Sequence, residues 1–263
     1  MPSAIELERD ILTDLLADPS SLLVFALIGF AAQMVDGALG MAFGQISSTL
    51  LISTGVPPAA ASAGVHTAET FTTAVSAISH VAHRNVDWGL FFRLVIPGVV
   101  GGVIGAYVLT IGADKAKPFV LIYLTALGLY LFYRGIMHRH TEKRPRVVAP
   151  LGLVGGFLDA AGGGGWGAIV TSNLLVQGSN PRKTIGTVNT AEFFLTITIS
   201  ATFILTMGLK AFTSATLGLL IGGVLAAPFG AQIAKRVNPD TLLTFVGALL
   251  TVVSIYGLYK ALA

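Results

Sequence analysis

The sequence predicts an all-α polytopic membrane protein made of two inverted repeats. Each repeat has about four hydrophobic regions, and the first region of each is broken or re-entrant. Three observations carry that expectation. The chain of 263 residues is 54% hydrophobic and only 11% charged, with a mean hydropathy of +0.79, where a soluble chain carries about a quarter charged residues. Its apolar runs approach or exceed the roughly 20 residues that a helical span needs. One phrase also occurs twice: Val65-His66-Thr67-Ala68-Glu69 returns 123 residues later as Val188-Asn189-Thr190-Ala191-Glu192. The same offset pairs Asp36 with Asp159, Gly40 with Gly163, Gly44 with Gly167, Gly55 with Gly178, Pro58 with Pro181 and Thr73 with Thr196.

Taken in order, residues 1–21 form an N-terminal amphipathic segment. Ile5, Ile11, Leu12, Leu15 and Leu16 share one side, and the Asp18-Pro19 step ends the helix. Such a helix suits the membrane surface or a frayed soluble end equally. The acidic start lacks the basic stretch of a cleaved signal peptide. Residues 22–137 are the first membrane repeat, with apolar regions at about 22–54, 62–83, 91–111 and 116–137. Residues 138–148 are a basic linker, which the positive-inside rule places in the cytoplasm. Residues 149–263 are the second repeat, with regions at about 148–178, 185–208, 212–234 and 241–260.

The opening region of each repeat is interrupted, by Asp36-Gly37-Ala38-Leu39-Gly40 and onward to Gly44, and by Asp159 through Gly162-Gly163-Gly164-Gly165-Trp166-Gly167. Glycine in a helix interior costs about 1 kcal/mol relative to alanine. Four in succession predict two half-helices joined by irregular backbone rather than one helix. Lipid tolerates such backbone only where protein buries it or it lines a wet cavity. A re-entrant hairpin makes each repeat cross three times and inverts the halves. Arg84, Arg93, Arg134, Arg139, Lys143, Arg144, Arg146, Arg182, Lys183, Lys235 and Arg236 then share the inner side, eleven of the 16 basic residues. Parallel halves divide the basic residues more evenly.

The chemistry-bearing residues gather on one helix face. Ser62, His66, Glu69, Thr73, Ser76, His80 and His83 follow at steps of four and three. Asn189, Glu192 and Thr196 hold equivalent places in the second copy. A carboxylate inside a membrane is a functional-site hypothesis by default, so Glu69 and Glu192 are the candidate proton-coupling groups; the plainer role is tying helices together. Asp36 and Asp159 either cap the half-helices that follow or bind an ion. The glycines beside them leave backbone N–H groups at a half-helix N-terminus, which suits an anion. The candidate substrate-binding set is therefore Gly40, Gly44, Gln45, His66, Thr67, Gly163, Gly164, Gly165, Trp166, Asn189 and Thr190. Trp166 either walls that site or packs. His80 and His83 are expected to be solvated at the inner boundary, and Arg182 and Lys183 to set topology. Gly98, Gly101, Gly102 and Gly105, and Gly218, Gly222, Gly223 and Gly230, have the spacing of close helix packing.

The same residues bound the function. There is no cysteine, no catalytic triad, no phosphate-binding loop and no HExxH pattern, so no enzyme, cofactor or resident metal is expected. A net charge of +3 gives no nucleic-acid footprint. The expected partners are the lipid bilayer and a small anion, with the oligomeric state left open.

The duplicated break with its Asp, the Val-x-Thr-Ala-Glu phrase and Gly178-Ser179-Asn180-Pro181-Arg182-Lys183-Thr184-Ile185-Gly186-Thr187 resemble the sulfite exporter TauE/SafE family, over roughly residues 22–260. The resemblance implies a secondary transporter of the bacterial inner membrane that moves sulfite, an organosulfonate or another small sulfur-containing anion. His66 departs from its Asn189 counterpart. The competing expectations are a cation–proton exchanger and a scaffold or channel that transports nothing.

Overall fold

The computed structural model describes residues 19–53, 56–110, 117–137, 142–162, 164–208 and 214–262. The N-terminal amphipathic helix of residues 3–18, the first four linker residues (138–141) and Gly163 therefore lie outside the described residues. Among those described, the chain forms ten helices and no strand. They are α1 (Pro19–Leu39), α2 (Phe43–Ser53), α3 (Pro58–Ala82), α4 (Trp88–Thr110), α5 (Lys117–Ile136), α6 (Ala149–Gly162), α7 (Trp166–Val176), α8 (Pro181–Met207), α9 (Ser214–Arg236) and α10 (Pro239–Leu262). Both expected breaks are present, between α1 and α2 and between α6 and α7. Five helices are long and apolar enough to cross a membrane. The 25-residue α3 is long enough too, at about 37 Å. Its polar stripe lowers its hydropathy, because those side chains face protein and not lipid.

Proline opens both α3 and α8, where its missing N–H costs nothing. Asn180 adds a side-chain cap to α8 by accepting from the Lys183 N–H at 3.1 Å. The 11-residue α2 and α7 cover only about 16 Å, roughly half a hydrocarbon core.

The second broken region turns back on itself. The side chain of Gln177, just after α7, accepts from the N–H groups of Arg146 and Val147, just before α6, at 2.9 Å each. The Lys143 N–H donates to the Gly178 carbonyl at 2.7 Å. Entry and exit thus lie together, with the break at the far end. Arg134 donates to the Leu175 and Val176 carbonyls at 3.3 and 3.1 Å, completing the free end of α7 with a cation, as the helix dipole favours. In the first repeat Leu51, late in α2, shares a core cluster with Phe25 and Ile28, early in α1.

The halves interlock and do not sit side by side. α1 packs along α9, and α4 along α6. Glycine lets each pair approach closely: a Cβ at Gly222 would fall 1.8 Å from the Ala26 carbonyl oxygen, and one at Gly101 2.0 Å from that of Leu153. Both pairs run parallel, because Gly29 meets Leu219 where Gly37 meets Gly230, and Gly98 meets Gly156 where Gly105 meets Phe157. Equivalent helices also pack on each other, and these run antiparallel. Along α3 and α8, Thr70 faces Ser200 at 3.3 Å, Thr73 faces Thr196 at 3.4 Å and Ser76 donates to Asn189 at 2.9 Å. Along α5 and α10, Gly128 abuts Thr251 and Gly135 abuts Thr244.

One end of the molecule collects the basic residues. Lys183 Nζ donates to the Arg84 carbonyl at 2.8 Å, and Arg93 donates to that of Arg146 at 3.3 Å. Arg93, Lys143, Arg144 and Arg146 line one open cavity of about 1000 Å³ there.

Candidate functional site

The two breaks meet inside the bundle. A Cβ at Gly44 would stand 2.8 Å from the Gly164 Cα, and one at Gly167 2.8 Å from the Met41 Cα. Gly164 has φ +111° and Gly40 φ +72°, a region that glycine enters without steric penalty. The Thr171 hydroxyl donates to the Gly40 carbonyl at 2.9 Å, tying one break to the other.

Asp159 organises the second break. Its Oδ1 accepts from the Gly165 and Trp166 N–H groups at 2.7 and 2.8 Å, which caps α7. Its carbonyl accepts from the Gly164 N–H at 2.8 Å. Its Oδ2 faces His66 Nε2 at 3.1 Å. The other ring nitrogen, Nδ1, lies 2.7 Å from the Ser62 carbonyl. Both ring nitrogens therefore face oxygen atoms, and the Ser62 hydroxyl also lies 3.3 Å from Nδ1. The first break is built differently. The Asp36 carbonyl accepts from the Gly40 N–H at 2.6 Å and from Asn189 Nδ2 at 3.4 Å. The Phe43 N–H reaches the Asp36 carboxylate. Asp159 thus caps the half-helix that follows it, and Asp36 stands just ahead of α2.

Glu69 and Glu192 stand above this crossing. Both are buried, and Oε2 of each has no partner. Glu69 Oε1 sits where a Cβ at Gly44 would approach it to 2.9 Å. Asp36, Glu69, Asp159 and Glu192 lie within electrostatic reach of one another. The Thr73 hydroxyl donates to the Glu69 carbonyl.

Residues 25–257 match the family model described as Sulfite exporter TauE/SafE. The chain belongs to the sulfite exporter TauE/SafE family. It is 39% identical over 243 residues to a Bacillus subtilis (strain 168) protein named "Probable membrane transporter protein YtnM", across 89% of this chain and 81% of that one. No solved structure matches it. As a TauE/SafE protein it is a membrane transporter and not an enzyme. It is a multi-pass integral membrane protein, and its helical spans are those of the bacterial inner membrane, since outer-membrane proteins are strand barrels.

The structure sorts the residues that the sequence marked in this TauE/SafE chain. Gly40, Gly44, His66, Glu69, Asp36, Asp159, Gly164, Asn189 and Glu192 converge on the crossing. Gly165 borders it, and Gln45 is half-buried on α2. The N–H groups expected to be free for an anion at the second break are already taken by Asp159. Trp166 is part of the core: it is fully buried, with its indole N–H donating to the Val188 carbonyl at 3.2 Å. Thr67 and Thr190 turn their hydroxyls back to Ala63 and Gly186 in their own helices, at 2.7 Å each. His80 is not solvated. It is fully buried, donates from Nε2 to the Gly37 carbonyl at 3.0 Å and accepts from Asn85 Nδ2 at 3.3 Å.

The residues that sequence reasoning missed are Gln33 and Ser47. Both are fully buried, and their side-chain polar atoms have no hydrogen-bond partner. A lone glutamine in an apolar helix, one turn before Asp36, was the available signal.

Proposed function

We propose that this TauE/SafE protein is a secondary transporter of a small sulfur-containing anion, such as sulfite or an organosulfonate, with proton coupling through Glu69 or Glu192. The observation that carries the reading is the crossing of two half-depth breaks beside two buried glutamates, each with a carboxyl oxygen that has no partner. Paired interrupted segments at a repeat interface are the common form of a secondary-transport site. The substrate sits where Gly40, Gly44 and Gly164 bring the breaks together, under the face that carries His66, Glu69, Asn189 and Glu192.

The repeats, 22–137 and 149–263 joined by the linker 138–148, are read as inverted. The antiparallel course of α3 against α8, and of α5 against α10, supports this. The re-entrant α6–α7 hairpin and the basic residues at one end support it too. Inverted halves give alternating access a simple form, in which each half takes up the other's conformation.

A cation–proton exchanger is the second reading, favoured by one observation: four buried carboxyl groups beside a single histidine, His66. Reconstituted vesicles under an imposed pH gradient separate the two. Uptake of labelled sulfite that follows the gradient upholds the anion reading. Uptake of labelled sodium or calcium without sulfite overturns it, and movement of neither ion leaves a scaffold.

A further inference from the structure

Four side chains near the crossing bury polar atoms without partners: Gln33 (both amide atoms), Ser47, Glu69 and Glu192. A partnerless buried donor or acceptor costs roughly 1–3 kcal/mol, and a packing role in α1 would be filled better by leucine or methionine. Gln33, Glu69 and Glu192 are linked through space, and Ser47 is placed by its position on α2. The Gln33 amide lies beside the Asp36 carboxylate without reaching hydrogen-bonding geometry. Asp36, Glu192 and Glu69 are mutual electrostatic neighbours, and Glu69 touches the Gly44 turn, one helical turn before Ser47.

The arrangement is also one-sided. Where the first repeat has Gln33, the second has Gly156, whose Cβ would fall 2.1 Å from the Gly98 carbonyl oxygen. Where the first has Ser47, the second has Val170, sealed in the core. At the second break the N–H groups are consumed by Asp159. Among the described residues near the crossing, the second repeat keeps only the Glu192 Oε2 unpartnered, where the first keeps Gln33, Ser47 and Glu69.

We infer that Gln33 and Ser47 form the substrate's hydrogen-bond site, and that they take a small oxyanion still carrying a proton, such as hydrogensulfite. The inference rests on the anion-transport reading above. Gln33 Nε2 and the Ser47 hydroxyl donate to the oxyanion's oxygens. Gln33 Oε1, which only a donor can satisfy, accepts the ligand's own O–H. Glu69 and Glu192 in their acid forms supply further donors.

Sulfite transport by vesicles holding the unmodified protein, Gln33→Leu or Ser47→Ala tests this, together with thermal melting of each protein with and without sulfite. Ser47→Ala is expected to raise the KM for sulfite about tenfold, the loss of one hydrogen bond to a charged group, and Gln33→Leu, which loses two, by more, while transport still follows the pH gradient. Gln33→Leu is expected to melt no lower than the unmodified protein without sulfite, and to lose the sulfite-induced rise. An unchanged KM, or a Gln33→Leu protein that melts lower without ligand, overturns the site and leaves the transport reading standing. No sulfite movement by the unmodified protein overturns both.

Discussion

Glu69 and Glu192 occupy equivalent places, yet their neighbours differ. Glu69 has the His66 imidazole one turn before it and the Thr70 hydroxyl beside it, while Glu192 has the Asn189 amide and the Phe193 ring. With no histidine beside it, Glu192 is proposed as the carrier of the coupling proton, while the Oε1 of Glu69 reaches the Gly44 turn. Glu192→Gln should therefore keep anion exchange but lose its response to an imposed pH gradient, whereas Glu69→Gln should mainly change apparent affinity. Vesicle transport at matched and unmatched pH measures both, and full gradient dependence in both variants would assign the carboxyls a structural role. Asp159 supports this site through two separable bonds. Asparagine keeps the cap on α7, since Asn and Asp cap about equally well. Both substitutions remove the carboxylate that faces His66, and alanine alone also loses the cap, worth about 1 kcal/mol. Melting temperatures in detergent should fall further for Asp159→Ala than for Asp159→Asn; equal falls would mean the cap does not matter.

At the scale of elements, the two breaks are held by contact between glycine backbones, and the contact is selective. A Cβ on Gly164 would stand 2.5 Å from the Gly44 carbonyl carbon, at a φ that side chains rarely adopt, whereas one on Gly165 meets only Ile169 Cδ1 at 3.9 Å. Gly164→Ala should abolish transport and Gly165→Ala should spare it, though the two positions are adjacent and alike in sequence. Transport rates normalised to folded protein decide this, and equal effects would remove the crossing from the mechanism. That difference marks how far the sequence could be read. Both breaks were legible because Asp and glycine recur in register and because helix-breaking glycines have no other use at such density. Which glycine touches the other break was not, since that depends on how α2 and α7 cross. His80 looked like the solvated end of a stripe because a stripe gives a face and not a depth. It is buried because α1 and α9 close over it, through Gly37 and through Asn85, whose amide donates to the Ala231 carbonyl at 3.2 Å. Gln33 stayed invisible for a related reason: its counterpart is Gly156, so the repeat comparison that exposed Glu69 and Asp36 had nothing to match.

For the whole molecule, the decisive property is direction. Two helices that occupy equivalent places in the repeats and run antiparallel cannot both start from the same side of a membrane if each crosses once. α3 and α8 are such a pair, and Pro57 and Asn180, just ahead of their first turns, should therefore face opposite sides. Asn180 belongs to the basic end, since its amide donates to Glu142 at 3.3 Å, beside Arg144 and Arg146. The positive-inside rule assigns that end to the cytoplasm. The chain contains no cysteine, so a single introduced thiol reports one position without background. Pro57 and Arg144 are both exposed, so a thiol at either is open to reagent. In intact cells, a membrane-impermeant maleimide should label Pro57→Cys and spare Arg144→Cys, and permeabilising the cells should bring Arg144→Cys up to the same level. Labelling of both from outside, or of neither, would mean that α3 and α8 begin on one side. The halves would then be parallel, and the exchange of conformations proposed for transport would have no symmetry to rest on.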